Sequence, residues 1–349
     1  MQGDGSEFSR DAEKDIEKIY HSGKYAIASW TKTGNFRTDP GVNEYYVRNI
    51  IKSVNAEAIR SHKFKVVTDT GCGGAGSLTL PFLLRELGCH VLTLEAQLDG
   101  TFPPWRNPEP LPEDLTELTN LVKMTGADLG VAHDGDADRA VFVDENGQFV
   151  NDDVLLAMMA KYMVEHEKGP LVTPVSSSQR MVDVAKEEGV KLYWTAVGSI
   201  NVARKMMEVN AVFGGEGNGG LIFPPKHQYC RDGAMSCAKV LEILVGGKKL
   251  SDLEKSVPQY FNEKTKVPAK NTHTTMEIVK NEASGLGRKI DTTDGVKIWY
   301  DDGWVLMRPS GTEPIFRIFA EAKSQTRAKE LMQEGLNMVT KAEKLSTLK

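Results

Sequence analysis

The sequence predicts an α/β protein, with consecutive mixed-sheet α/β domains followed by a small C-terminal α+β domain. Two observations predict it. Between residue 64 and about residue 245, short apolar runs alternate with stretches of helical period, the mark of strand–helix–strand units. From about Ser251 the rhythm changes to closely spaced strands, with Asp301-Asp302-Gly303 between two of them as a hairpin signal. A chain of 349 residues is long enough for two or three domains. The domains are expected at 39–151, 152–260 and 261–349.

Asp11–Tyr20 carries Ile16 and Ile19 among charged residues, a short amphipathic helix. Asn43–Arg60 reads as one longer helix with Tyr46, Val47, Ile50, Ile51 and Val54 on a stripe. Phe64–Thr68 and His90–Leu94 read as strands flanking a helix at Leu78–Leu87. A helix at Glu113–Met124 then precedes a strand at Leu129–Ala132. Asp152-Asp153 offers an N-cap and a first-turn acid to the helix Val154–Glu165, which Gly169-Pro170 stops. A second series follows: strands at Leu171–Val175, Lys191–Val197, Ala211–Phe213 and Leu221–Phe223, and helices at Met181–Glu188, Val202–Glu208 and Met235–Val245. Val296–Tyr300, Trp304–Met307 and Ile315–Glu321 read as strands of the last domain, closed by a helix at Ala328–Val339.

Composition narrows the function. With 40% hydrophobic and 26% charged residues the chain is that of a globular protein with real cores. A net charge of −5 with no basic face argues against nucleic acid or an anionic membrane as partner. The best apolar stretch, Val154–Val164, is interrupted by Lys161, and Met1–Arg10 is too polar for a signal peptide. Four cysteines without CxxC spacing fit a reducing cytoplasm.

Four loops carry chemistry. Gly71, Gly73 and Gly76 match GxGxxG between a strand and a helix, with Glu95 ending the next strand. That is a dinucleotide fingerprint on paper and a bare glycine turn otherwise; the first alternative would make the chain an NAD-dependent oxidoreductase. His133–Arg139 places Asp134, Asp136 and Asp138 at alternate positions. Three carboxylates so spaced can converge on a hard cation, Mg²⁺ or Ca²⁺ suiting oxygen-only ligands, or form a solvated acidic turn. An EF-hand is excluded, because Arg139 stands where that loop needs glycine and the flanks read as strands. Gly214–Gly220 sets Glu216 and Asn218 in a glycine frame, able to bond vicinal sugar hydroxyls or to be a mobile turn. Arg308, Ser310, Gly311 and Thr312, followed by Arg317, make either a cradle for a phosphate, without the lysine of a P-loop, or a structural turn.

In this order the loops resemble those of the α-D-phosphohexomutase family, which spans phosphoglucomutase, phosphomannomutase and phosphoglucosamine mutase. The matching segments are Asp134–Arg139, Gly215–Asn218 and Arg308–Pro314 with Arg317, supported by Asp69–Gly76, Phe102–Pro110 and Arg231-Asp232-Gly233. The resemblance covers nearly the whole chain and makes the GxGxxG match a structural turn. It implies a phosphoryl shift between C6 and C1 of a hexose phosphate through a bisphosphate, with Mg²⁺ as cofactor. Asp134, Asp136 and Asp138 become the metal ligands, and Arg139 the catalytic neighbour of the transferred group. Glu216 and Asn218 become readers of the sugar, and Arg308, Ser310, Gly311, Thr312 and Arg317 the grip on the other phosphate. Residues 39–151, 152–260 and 261–349 are then the metal-loop, sugar-loop and phosphate-binding domains.

The sequence departs from the family pattern in one respect that bears on activity. The family's phosphoserine sits in a Thr-Ala-Ser-His-Asn-Pro segment of a first domain, and these 349 residues contain none; Ser61-His62-Lys63 lacks the Asn-Pro. Residues 1–38 are expected to be the remnant of that first α/β domain. The chain is therefore expected to be inactive alone, either truncated or encoded without its first domain and then completed by a separately encoded one, or to be a non-catalytic phosphosugar-binding paralogue. Asn218 and Gly220 stand where many members have serine and histidine, a variant associated with archaeal-type mutases.

Overall fold

The computed structural model describes every residue except Met1, Asp4, Asp99, Gly100, Pro103, Pro104, Pro225, Lys226, Thr312, Leu348 and Lys349. The chain forms two units, one from Met1–Val150 with Gly219–Ser251, the other from Asn151–Asn218 with Asp252–Lys349. Among the described residues no helix is long and apolar enough to cross a membrane.

The first unit begins with a helix at Arg10–Ser22, capped by Ser9 and ended by Gly23 in the left-handed conformation. None of its side chains is buried, so local ion pairs such as Arg10–Glu13 and Lys18–Asp15 support it rather than a core. The stripe expected to make one helix of Asn43–Arg60 instead makes two, Val42–Lys52 and Ala56–His62. Asn55 causes the break, because its side chain accepts from the Ala58 amide and caps a new helix.

Strand β1 (Lys65–Asp69) is followed by the helix Gly74–Glu86 and then β2 (His90–Leu94). The helix Thr116–Thr125, entered through a 3₁₀ turn at Pro112–Leu115, leads to β3 (Leu129–His133) and β4 (Ala140–Val143). The order is β2-β1-β3-β4, with the first three parallel and β4 antiparallel to β3. The mixture follows from the connections. Helical crossovers allow parallel pairing, whereas six residues between β3 and β4 permit only a reversal. Val67, Leu118, Val122, Ala132, Val141 and Val143 form the core between sheet and helix, each large side chain stabilising by roughly 1.5–3 kcal/mol.

The second unit opens with the helix Asp152–His166. Its cap is Asn151, whose side chain accepts from the Asp153 and Val154 amides, rather than the aspartate pair the sequence suggested. Asp153 is instead buried beneath the loops described below. β5 (Leu171–Pro174) lies between β6 (Leu192–Thr195) and β7 (Phe213–Gly215), all parallel, with helices Arg180–Glu187 and Ser199–Val209 as crossovers. The chain then returns to the first unit for the antiparallel pair β8 (Leu221–Phe223) and β9 (Gln228–Arg231) and the helix Gly233–Leu244, capped by Asp232.

The C-terminal part is antiparallel throughout. β10 (Phe261–Pro268), β11 (Ile290–Asp291), β12 (Val296–Tyr300), β13 (Gly303–Pro309) and β14 (Ile315–Ala322) lie in the order β10-β14-β13-β12-β11. Helices Thr272–Ser284 and Gln325–Ser346 cover one face, closing a core that includes Val279, Ile298, Val305, Phe316, Ile318 and Leu331.

Candidate active site

Six residues connect β3 to β4, and they bring Asp134, Asp136 and Asp138 together: one carboxylate oxygen from each lies within 4.8 Å of the others. Asp134 is buried, Asp136 is exposed and Asp138 lies between. The turn needs Ala137 at φ 61°, a left-handed conformation uncommon for a residue with a Cβ. The Gly233 amide holds it there by donating to the Ala137 carbonyl at 3.2 Å.

Charge is partly balanced by arginine. Arg139 donates to Asp134 at 2.6 Å and to Glu109 at 2.6 Å, and Arg231 donates to Asp138 at 2.5 Å. The balance is incomplete. Asp138 Oδ1 is buried and accepts no hydrogen bond, and burial, with repulsion from Asp134 and Asp136, pushes the Asp138 carboxyl up to about 6 against the pull of Arg231. A trio of carboxylates with a raised pKa and one oxygen that accepts no hydrogen bond, its nearest cation Arg139 Nε at 3.6 Å, is the donor set a hard divalent cation fits.

A buried scaffold supports the turn from behind. Arg106 is 2% exposed; it donates to both oxygens of Asp69 at 3.3 and 3.2 Å and to the His133 carbonyl at 2.5 Å. It thereby ties the end of β1 to the end of β3. The glycines of the GxGxxG match have a packing role here: a Cβ on Gly73 would stand 2.6 Å from the Gly135 carbonyl, and one on Gly76 3.1 Å from the His133 ring. On the other side Asp232 accepts from Tyr46 and His227, both at 2.6 Å, while capping the Gly233 helix through the Met235 amide. Burial and the neighbouring Asp232 raise the Tyr46 pKa, so the phenol stays a donor. Tyr46, Asp136, Asp138, Arg231, Val42 and Leu78 are among the residues lining a cavity of about 680 Å³ beside the aspartates. Arg106, Asp69, Tyr46 and Asp232 were not singled out by sequence reasoning as site residues; the available signal was their place in the Asp69–Gly76, Phe102–Pro110 and Arg231–Gly233 segments.

In the second unit, Glu216 follows β7 and is 6% exposed; its Oε1 accepts from the Gly198 amide at 3.1 Å. Asn218 is half-buried. The loop rests on Asp153: a Cβ on Gly217 would come within 2.3 Å of Asp153 Oδ1, so a larger residue would have to displace the carboxylate or the loop. Asp153 also takes the Ser178 amide at 3.3 Å and Asn262 at 2.9 Å.

Arg308 and Arg317 stand directly opposite each other in the β13–β14 register, at the mouth of the loop that joins those strands. Like charges in such a pair are destabilising unless something anionic lies between or beside them. Arg317 pairs with Glu313 at 2.8 Å and Arg308 with Asp294 at 3.1 Å. Ser310 closes the loop through its amide to the Ile315 carbonyl at 2.9 Å, and Gly311 is exposed at the tip. Thr312, expected in the same cradle, lies outside the described residues. Two arginines at facing register positions, a serine and an exposed glycine stand at one loop, a donor set that could hold a phosphate dianion.

Comparison with known proteins shows the family. Residues 44–147 match the model of phosphoglucomutase/phosphomannomutase α/β/α domain II, residues 151–261 that of α/β/α domain III, and residues 262–337 that of the C-terminal domain. A phosphoglucomutase/phosphomannomutase of Thermococcus kodakarensis is 45% identical over 345 residues, 98% of this chain and 75% of that one. A "probable phosphoglucosamine mutase" of Methanosarcina barkeri is 42% identical over 322 residues, 92% of this chain and 71% of that one. A crystal structure of a phosphoglucomutase/phosphomannomutase family protein from Burkholderia thailandensis superposes with a TM-score of 0.83 at 26% identity, covering 97% of this chain and 71% of its own. The chain belongs to the α-D-phosphohexomutase family, a family of isomerases that move a phosphoryl group within one sugar. It spans about three quarters of the length of these relatives.

Proposed function

We propose that this chain is the metal-, sugar- and phosphate-binding part of a phosphohexose mutase of the phosphomannomutase/phosphoglucomutase type. The observation that carries the reading is the convergence of Asp134, Asp136 and Asp138 within 4.8 Å of one another, with an oxygen of Asp138 left without a hydrogen bond. These three carboxylates would hold Mg²⁺, which when bound offsets charge developing on a transferring phosphoryl group. Arg139, held by Asp134 and Glu109, presents its guanidinium beside that centre. Glu216 and Asn218 orient the hexose through its hydroxyls. Arg308, Ser310, Gly311, Thr312 and Arg317 grip the phosphate that does not react, and so fix which end of the sugar is presented.

Phosphoryl transfer also needs a nucleophile, and none of these 349 residues lies in a Ser-His-Asn-Pro context. In the proposal that serine is supplied by a segment outside these 349 residues. Its P–O bond breaks as a bond to one hexose oxygen forms, and the phosphoryl on the other oxygen then returns to the serine. The apolar wall of the cavity beside the aspartates, with Val42 60% and Leu78 54% exposed, suits such a partner.

The test is a coupled mutase assay with glucose 1-phosphate, Mg²⁺ and a bisphosphate primer, alongside calorimetry with glucose 6-phosphate. The chain alone should bind and not turn over, because residual electrostatics cannot replace covalent transfer. Adding a polypeptide that carries the serine segment should restore turnover. Robust interconversion by the chain alone would refute the missing nucleophile, and binding that no added domain converts to turnover would favour a phosphosugar-binding paralogue.

A further inference from the structure

We propose that Asp294 is a positioning residue that couples the phosphate loop to the sugar loop, so that Glu216 is set for a hexose only when Arg308 holds a phosphate. This rests on the reading of residues 308–317 as a phosphate site. Asp294 ends the turn before β12, outside every segment the sequence marked.

Its carboxylate is pressed into place by the backbone. Gly295 has φ 83°, and a Cβ there would lie 2.3 Å from the Met307 carbonyl and 2.7 Å from the Arg308 Cβ. The turn therefore lies flat against β13, which only glycine permits. From that position one oxygen, Oδ2, accepts two hydrogen bonds, from Arg308 Nε at 3.1 Å and from the Val197 amide at 2.9 Å, and Arg308 Nη2 forms an ion pair with it at 3.1 Å.

The next amide along, Gly198, donates to Glu216 at 3.1 Å. Two consecutive backbone N–H groups thus hold two carboxylates, one bound to the phosphate-loop arginine and one belonging to the sugar loop. Gly198 has φ 124°, a conformation open to glycine, and it begins the helix Ser199–Val209. The Asn201 side chain donates to the Val197 carbonyl at 3.0 Å, so the pair of peptides is held from both sides. A short path of charge-assisted bonds therefore runs Arg308, Asp294, Val197, Gly198, Glu216, all within one unit.

The coupling follows from competition for one guanidinium. A phosphate dianion arriving at Arg308 draws on the donors that now satisfy Asp294 Oδ2. The carboxylate must then lean more on the Val197 amide or turn its other oxygen to it, and the Val197–Gly198 peptides reorient with Glu216 attached. An unphosphorylated hexose makes no such change, so the device favours hexose phosphates over free hexoses. Coupling of this kind is typically about 5–150-fold in affinity.

The test is a titration of inorganic phosphate into the full chain, isotopically labelled and followed by NMR at Arg308 Nε and at the Val197 and Gly198 amides. In the wild type all three signals should move with one binding curve. In Asp294→Asn the Arg308 signal should still respond, while the two amide signals should no longer follow it, in keeping with a lost coupling. Asp294→Glu, which restores the charge, should recover part of the amide response. Amides that stay still in the wild type while Arg308 responds would overturn the coupling and leave the phosphate site standing. Amides that respond equally in Asp294→Asn would overturn it as well. No response at Arg308 would remove the phosphate site itself, and the inference with it. The wild-type titration decides even if the variants fold poorly.

Discussion

Replacing Lys297 by methionine should stabilise the protein near neutral pH and flatten the rise of its stability toward alkaline pH. Lys297 lies on β12 and is 1% exposed. Its ammonium donates to the Val175 carbonyl at 2.8 Å and sits 3.7, 4.3 and 5.0 Å from the ring centres of Trp304, Trp299 and Trp194. Burial drives its pKa from 10.5 down to about 7, against the pull of Glu321 on β14, Asp291 on β11 and Asp153 on the Asp152–His166 helix, and with help from Lys289. In the unfolded chain the lysine keeps its proton up to about pH 10.4. Between pH 7 and that value the unfolded state binds more protons, so stability rises with pH, by at most about 1.4 kcal/mol per unit. Across the window this amounts to ~4–5 kcal/mol that the native state lacks at pH 7 and regains by pH 10.

Methionine removes that deficit and keeps favourable contact with the three rings, but leaves the Val175 carbonyl without its donor at a cost of about 1–3 kcal/mol. The net gain at pH 7 should be about 2 kcal/mol, shrinking and changing sign by pH 9–10. Urea denaturation at pH 7, 8 and 9, followed by the fluorescence of the tryptophan cluster, measures it. If the wild type gains no stability over that range relative to Lys297→Met, the desolvation argument is wrong.

Other perturbations follow from single contacts. Arg106→Met strips the partner from buried Asp69 and the donor from the His133 carbonyl; loss of one member of a buried pair costs about 3–5 kcal/mol, visible as a lower melting temperature. Gly217→Ala must displace either the sugar loop or Asp153, since the new Cβ would lie 2.3 Å from Asp153 Oδ1. It should weaken hexose phosphate binding by calorimetry while leaving Mn²⁺ binding by the aspartates unchanged. Arg317→Ala relieves the facing charges of β13 and β14, so it should not destabilise the fold; it should lower hexose 6-phosphate affinity by about 10–100-fold, the worth of one charged hydrogen bond. A melting temperature that falls sharply in that variant would show that the two arginines are structural.

The α/β rhythm was legible because buried parallel strands must be apolar and their crossovers must be amphipathic, and both patterns survive in one sequence. Strand and helix centres followed directly; ends did not, since side-chain capping decides them. Asn55 splits a stripe that looks continuous, and Asn151 takes the cap that Asp152-Asp153 seemed to offer. β10 and the helix Thr272–Ser284 were missed for a different reason. Phe261–Pro268 is an edge strand with lysines and a glutamate, residues that blunt such an edge and hide its period.

The loops proposed to carry chemistry stand out in the sequence because oxygen ligands, glycines and arginines in tight spacing have few structural uses. Their supports were not. Arg106, Asp232, Asp153 and Asp294 act through partners as much as 186 residues away, as between Tyr46 and Asp232, and no local pattern announces such a pairing. Arg139 shows the same limit from the other side. Its place beside the aspartates was expected, whereas its two carboxylate partners, Asp134 and Glu109, emerge only from the fold.

The central claim is that Asp134, Asp136 and Asp138 hold one divalent cation. Water-proton relaxation during a Mn²⁺ titration tests it most directly, comparing the wild type with Asp136→Ala. Asp136 is exposed, so its loss should leave the fold intact. The account predicts one site in the wild type, displaceable by Mg²⁺, and an affinity lower by about tenfold or more in the variant, since a carboxylate ligand is lost from an all-oxygen site. Equal Mn²⁺ affinity in the two proteins would contradict it.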